Sequence, residues 1–265
     1  MPDYGRYQAL KVEQNDKVAL VTFNKPESLN AFDHELHQNL EDILEDLAGD
    51  DQVKAIVLTG AGKAFSAGGN IKAMQARLTD PSLPRIQMSG AYRLINNILN
   101  VDKPIIGAVN GHAVGLGATV ALFCDVIFAA ENARFGDPHV SVGLVAGDGG
   151  CVIWPLLIGV ARAKQYLMTG DQIEAKEAER IGLVNKVLPQ EEVLPAAMAF
   201  AQRLANGPTK AINWTKLSIN QLLKQNMNLI LPTSLATEFM CFQTADHAEA
   251  VNAFVEKRTP KFTGK

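Results

Sequence analysis

Cysteine is scarce in this 265-residue chain, and its three copies, Cys124, Cys151 and Cys241, lie far apart with no CxxC spacing. That excludes a disulfide framework and a cysteine-ligated zinc site, and it fits reduced thiols in a cytoplasm. Neither sign of charge is in large excess: a formal net charge of −3 gives no bulk attraction to nucleic acid or to anionic lipid. The basic tail "EKRTPKFTGK" reads as a solvated end. No linker rich in proline, glycine or serine divides the chain, and no internal repeat runs through it. The opening "MPDYGRYQALKVEQ" carries acids and lacks the apolar core of a secretory leader. The nearest thing to a membrane span, Pro104 to Ala130, is interrupted by Asn110, His112, Thr119 and Asp125 and begins with the β-rich "PIIGAV". It reads as a buried strand, a loop, a buried helix and a second strand.

What is present is an ordinary globular balance, 47% apolar and 20% charged, long enough for one large core. "ALKVEQ" and "KVALVTF" form an expected hairpin around Asn15–Asp16. Asp33 is placed to cap a helix whose Leu36, Leu40, Ile43, Leu44 and Leu47 share one face. The strand "KAIVLTG" leads to the loop "AGKAFSAGGN", and a helix from about Ser82 to Asn100 turns Tyr92, Ile95 and Leu99 inward. "PIIGAV", the loop and helix of "NGHAVGLGATVALFCD", and "CDVIFAA" follow. Strand and helix in repeated alternation predict an α/β core with parallel strands. After about Gly143 the spacing is helical, giving an α/β core over residues 1–195 and a C-terminal helical region over 196–265.

Two glycine-rich loops, "TGAGKAFSAGGNI" and "NGHAVGLGATV", each join a buried strand to a helix, where unpaired N–H groups suit a negative atom. Nucleotide signatures fail: a P-loop needs glycine where Val57 stands, and "GLGATV" lacks the third glycine of the dinucleotide fingerprint. Ser66 sits in "AFSAG", which is not a serine-hydrolase elbow. Two N–H groups from separate loops that meet on one oxygen make an oxyanion hole.

Six stretches in order carry a resemblance: "NKPESLNAF", "AFSAGGNIKAM", "DKPIIGAVNGHAVGLGATVALFCDV", "FGDPHVSVGLVAGDGG", "AKQYLMTGDQIEAKEAERIGLVNKV" and "FVEKRTPKF". The chain resembles the crotonase superfamily, the enoyl-CoA hydratase/isomerase family, along nearly all its length. The resemblance implies repeated ββα turns, a C-terminal helical trimerisation region, and a homotrimer or dimer of trimers. It implies a coenzyme A thioester as substrate, with no permanently bound cofactor. Mapped by resemblance, the oxyanion donors are the backbone N–H groups of Ala67 and Leu116. Ser28, Leu29, Ala64, Ala67, Gly68, Gly69, Asn70, Ile71, Gly115 and Leu116 line the CoA and substrate, and Phe262 and Lys265 cover its nucleotide end. Lys25 and Lys72 read as surface lysines.

The chain departs from the family hydratases at the two glutamate positions, which here are Thr119 and His139. A threonine hydroxyl has no useful acidity near neutral pH, so it orients a water or packs. His139 and Asp148 are the acid/base candidates, with Asp137 placed to orient His139. Against these stand a structural histidine at His139 and a helix cap at Asp148. His34 and His37 form an HxxH without a nearby third ligand, so no metal is expected. His112 packs beneath the second loop, and Asp246–His247 caps a helix. The expected activity is enolate-forming conversion of an acyl-CoA, either double-bond isomerisation or hydration. A non-catalytic CoA-thioester binder, or an RNA binder, on the same fold is the alternative; RNA binding would need a basic stripe that the scattered lysines do not supply.

Overall fold

The computed structural model describes residues 4–80 and 88–265. Its first strands, β1 (Leu10–Asn15) and β2 (Val18–Phe23), pair antiparallel with Asn15 opposite Val18, and Asp16 takes a left-handed φ of 54° to close the turn. The Asp33 carboxylate accepts from the Leu36 N–H and starts α1 (His34–Gly49). Leu36, Leu40, Ile43, Leu44 and Leu47 are all fully buried, as their spacing predicts.

Three ββα units follow. The first is β3 (Ala55–Gly60), β4 (Ala64–Ser66) and the helices α2 (Ile71–Thr79) and α3 (Met88–Asn100). The second is β5 (Ile105–Val109), β6 (His112–Val114) and α4 (Leu116–Leu122). The third is β7 (Val126–Ala130), β8 (Arg134–Gly136) and, after a single tight helical turn over Pro138–Val142, α5 (Gly150–Ile158). The chain then continues through α6 (Val160–Thr169), β9 (Ile173–Glu174), α7 (Ala175–Arg180), β10 (Lys186–Leu188), α8 (Gln190–Ala205), α9 (Thr209–Cys241) and α10 (Ala245–Val255).

In each unit the first strand enters a six-stranded sheet of order β1-β2-β3-β5-β7-β10, and the second enters a four-stranded sheet of order β4-β6-β8-β9. Apart from the β1–β2 and β8–β9 pairs, neighbouring strands are parallel. The central strands β3 and β5 are buried along their whole length, which is why they read as continuous apolar runs without alternation. Because β4, β6 and β8 are parallel neighbours, the loops that leave their carboxyl ends emerge side by side. That is where open α/β sheets place ligands.

Several expectations need correction. Tyr92 is not inward: it is 37% exposed and its hydroxyl donates to Asn228 Oδ1 at 3.0 Å, whereas Ile95 and Leu99 are buried. Of the helix expected from Ser82, residues 82–87 lie outside the described residues. The region after Gly143 is not wholly helical, since β9 and β10 return the chain to both sheets; strands of two and three residues are too short to show a period. Residue 195 falls inside α8, whose Val193, Ala197, Ala201 and Ala205 are buried. Among the described residues, no helix is long and apolar enough to cross a membrane.

Candidate active site

The first of the three loops is stitched to the segment after β2. Asn30, fully buried, donates through Nδ2 to the carbonyls of Ala61 and Ala64, and the Ser66 hydroxyl donates to the Asn30 carbonyl at 2.7 Å. These bonds decide which N–H groups remain available. The Ala67 N–H donates to the Leu29 carbonyl at 2.9 Å, and the Gly68 N–H to Ser66 Oγ at 3.2 Å. Gly69 forms a parallel bridge with Phe32, whose N–H donates to the Gly68 carbonyl. In such a bridge the ladder uses the groups on either side of Gly69, and its own N–H points away. It meets no acceptor among the described residues. The N–H of Ala67, the donor expected from this loop, is therefore bonded to Leu29, and the open N–H belongs to Gly69, expected only to line the CoA. Asn70 then caps α2 by accepting from the Ala73 N–H at 3.1 Å.

The second loop lies directly against the first. A side chain at Gly68 would meet the Val114 carbonyl oxygen at 2.5 Å, and one at Gly117 would meet Ser66 Cβ at 2.6 Å, so glycine at both positions permits the contact. Leu116 is the first residue of α4, so its N–H has no acceptor within the helix.

Behind these loops is a buried cluster of ionisable groups. Asp137, fully buried, contacts His139 Nδ1, and Asp148 Oδ2 lies 3.5 Å from His139 Nε2. The fully buried Thr119 donates its hydroxyl to Asp148 Oδ1 at 3.3 Å. Asp148 is not a helix cap: Gly149 precedes α5, and no side chain caps that helix. At Gly149, φ is +125° and a side chain would strike Thr119 Cγ2 at 2.7 Å, so only glycine lets the Asp148 segment close on α4. His139 Cε1 faces Gly115, which sets the imidazole beside the second loop.

Charge in this cluster is mutually determined. Burial by itself disfavours the His139 imidazolium, but the negative charges of Asp137 and Asp148, with their hydrogen bonds, outweigh it and hold the histidine well above its ordinary value. The ring is thus a cation near neutral pH, with both nitrogens donating. Cys151, near the same carboxylates, has its thiol pushed up to about 11 by burial and by Asp137 and Asp148, so it carries no thiolate near neutral pH. Asp137, His139 and Asp148 place ligand atoms within 4.8 Å of one another. The two carboxylates, however, address opposite nitrogens of the ring, which is an ion-pair arrangement and not three ligands converging on one ion.

The family described as Enoyl-CoA hydratase/isomerase matches residues 13–265. The chain belongs to that family. It is 36% identical over 248 residues to the short-chain-enoyl-CoA hydratase of Clostridium acetobutylicum, covering 93% of this chain and 94% of that one. It is 35% identical to the 1,2-epoxyphenylacetyl-CoA isomerase of Escherichia coli, over 94% of this chain and 95% of that one. The crystal structure of an enoyl-CoA hydratase/isomerase from Mycobacterium paratuberculosis superposes with a TM-score of 0.87 at 35% identity, covering 92% of this chain and 97% of that one. The protein is an acyl-CoA enzyme of enoyl-CoA hydratase/isomerase type on the crotonase fold.

Around this enoyl-CoA hydratase/isomerase-type site the remaining expected residues fall as follows. Ser28 donates to the Lys25 carbonyl at 3.1 Å, Leu29 is 44% exposed in a left-handed conformation, and Ala64 is buried in β4. Lys25 is held by Asp33 and by Glu35 Oε2 at 2.8 Å. Phe262 and Lys265 are exposed on a tail that folds back onto α10, with the Thr263 and Gly264 N–H groups donating to Asp246. Asp246 therefore anchors the tail and is not the cap; Thr244 caps α10 by accepting from the His247 N–H at 3.1 Å. His247 is buried and bonds the Val142 carbonyl through Nδ1 at 2.7 Å, docking α10 against the turn that bears His139. His112 is exposed, not packed beneath the loop, and His37 pairs with Glu41 at 3.0 Å while His34 is exposed.

One member of the cluster was missed from the sequence. Glu238 of α9 places Oε1 3.9 Å from His139 Nε2. It is the only acid in a 33-residue helix and is followed directly by apolar residues in "LATEFMC", a signal that a lone charge has a buried purpose.

Proposed function

We propose that the enzyme is a double-bond isomerase of enoyl-CoA thioesters, with Asp148 as the base. The observation that carries this is the environment of Asp148, held between the Thr119 hydroxyl and the His139 imidazolium. His139 has no lone pair left to accept a proton, and Thr119 has no acidity to use, so neither of the hydratase glutamate positions supplies a base here. Asp148 lies beside the His139 ring and accepts from the Thr119 hydroxyl, and it is the carboxylate of this cluster that both residues address. It removes a proton from the carbon chain while the thioester oxygen takes up charge as an enolate. The N–H groups of Leu116 and Gly69 stabilise that oxygen; Gly69 replaces the expected Ala67, whose N–H is bonded to Leu29. The contact between the backbones flanking both donors supports their convergence on one atom. Ser28, Leu29, Ala64, the segment 68–71 and Gly115 lie along the CoA, with Phe262 and Lys265 at its nucleotide end.

Offered a 3-enoyl-CoA and the 2-enoyl-CoA of the same length, the enzyme is expected to interconvert them with no change of mass, read by mass spectrometry and NMR. A product heavier by one water would make it a hydratase, and no conversion of any thioester would support the silent-binder alternative.

Trimers or paired trimers fit the exterior of α9, where Trp214, Ile219, Leu222, Leu229 and Met240 are exposed. Such a surface suits burial in a closed symmetric assembly. Sedimentation is expected to give the mass of three or six chains, and a stable monomer at micromolar concentration would contradict it. The unpaired Cys124, Cys151 and Cys241 fit a cytoplasmic enzyme.

A further inference from the structure

Glu238 comes to the site from a helix that the proposed proton abstraction does not use. Its position is fixed by a neighbour one turn earlier: the Ser234 hydroxyl donates to the Gly147 carbonyl at 2.9 Å and sets the register of α9 against the loop before α5. Glu238 Oε2 then occupies the space that a side chain at Gly147 would need. Its Oε1 lies 3.9 Å from His139 Nε2, the ring atom that Asp148 Oδ2 approaches to 3.5 Å. Two carboxyls thus face one N–H. Asp137 lies on the far side of the ring, and the Cys151 thiol of α5 is the other ionisable group nearby. A single imidazole ring thus serves three buried carboxyls. Glu238 is the most weakly partnered, for no hydrogen bond to its carboxyl is formed among the described residues. Burial first, and then the charges of Asp148 and Asp137, push its acid up to about 8 against the opposing pull of His139.

We propose that Glu238 is the general acid of this site, delivering to the substrate a proton different from the one that Asp148 removes. This rests on the isomerase reading above. The step balances without a co-reactant. A C–H bond breaks, its proton goes to Asp148, and its electron pair moves to the thioester oxygen. The enolate then re-forms a C–H bond at the other end of the allylic unit with the proton of Glu238, leaving Glu238 ionised. Transfer of the proton from Asp148 to Glu238 restores the starting state.

The test is isomerisation in D₂O. Between turnovers the Glu238 acid exchanges with solvent, so the parent's product is expected to carry one solvent deuterium per turnover. Glu238→Gln is expected to lose about 10²-fold in kcat. What product it does form should keep the substrate's own hydrogen, because Asp148 must return the proton it took. The parent's kcat/KM should fall as pH rises through about 8, and that limb should vanish in the variant. Folding is checked separately. An acid with a raised value in the folded state costs stability as pH rises from the ordinary carboxylate range through about 8, so Glu238→Gln should denature no more easily than the parent at alkaline pH. A variant that isomerises at the parental rate with the same deuterium content would overturn the assignment while leaving the isomerase reading intact. A parent that interconverts no enoyl-CoA would overturn both.

Discussion

Asp148→Asn should lower kcat/KM by about 10²-fold or more, the low end for loss of a general base, while Thr119→Val should lose about tenfold at most. The two residues touch, so the contrast is informative. Asn keeps the size of Asp148 and its bond from the Thr119 hydroxyl but cannot take a proton. Val removes only a hydrogen bond to a charged group, and at 3.3 Å that bond is long and belongs at the weak end of its class. Steady-state kinetics on both variants, with a 3-enoyl-CoA as substrate, checks this. An active Asp148→Asn enzyme beside a dead Thr119→Val enzyme would transfer the chemistry to the hydroxyl.

His139→Gln should destabilise the fold by about 3–5 kcal/mol, the usual consequence of removing one partner from a buried ion pair. Asp137 is fully buried, with its Oδ2 packed so closely on Gly150 that a side chain there would collide with it. Without the imidazolium, Asp137 and Asp148 face each other as uncompensated charges in the interior. The pH dependence gives a second readout. Because the histidine is raised in the folded state, its stabilisation is fully present below about pH 6.5, the unfolded value. It is lost as pH rises through the higher folded value. Denaturant titrations should show that loss in the parent and not in His139→Gln. A variant within about 1 kcal/mol of the parent would mean that the pair contributes little.

The sequence made some of this legible for identifiable reasons. α1 and β3 announce themselves because a long amphipathic stripe and an unbroken apolar run have no competing interpretation. β4 and β6 lie within stretches that read as loops, since three-residue strands are created by their neighbours in the sheet and carry no period of their own. Asp148 and His139 stood out because each lies in a short polar interruption between glycines or prolines. The choice between Ala67 and Gly69 was not legible. It depends on Leu29 and Phe32, which lie a full helix earlier in the chain and decide through their own hydrogen bonds which N–H is left over. Glu238 was hidden for a similar reason: its proximity to His139 is made by the packing of α9 on α5, although its isolation among apolar residues was visible.

Everything assigned to Asp148 and Glu238 depends on the charge of His139. If the ring is neutral, its free nitrogen becomes the better base and Glu238 loses the opposing pull that keeps it near neutrality. The direct measurement is ¹⁵N NMR of the histidine side chains, with His139 assigned by the loss of its signals in His139→Gln. Between about pH 6 and 8, the range in which an ordinary imidazole loses its proton, both His139 nitrogens are predicted to stay protonated. His247, lowered by burial, is predicted to lose its proton at a lower pH than an ordinary imidazole and serves as the internal comparison. Deprotonation of His139 with an ordinary midpoint near pH 6.5 would contradict the assignment and return the base to the imidazole.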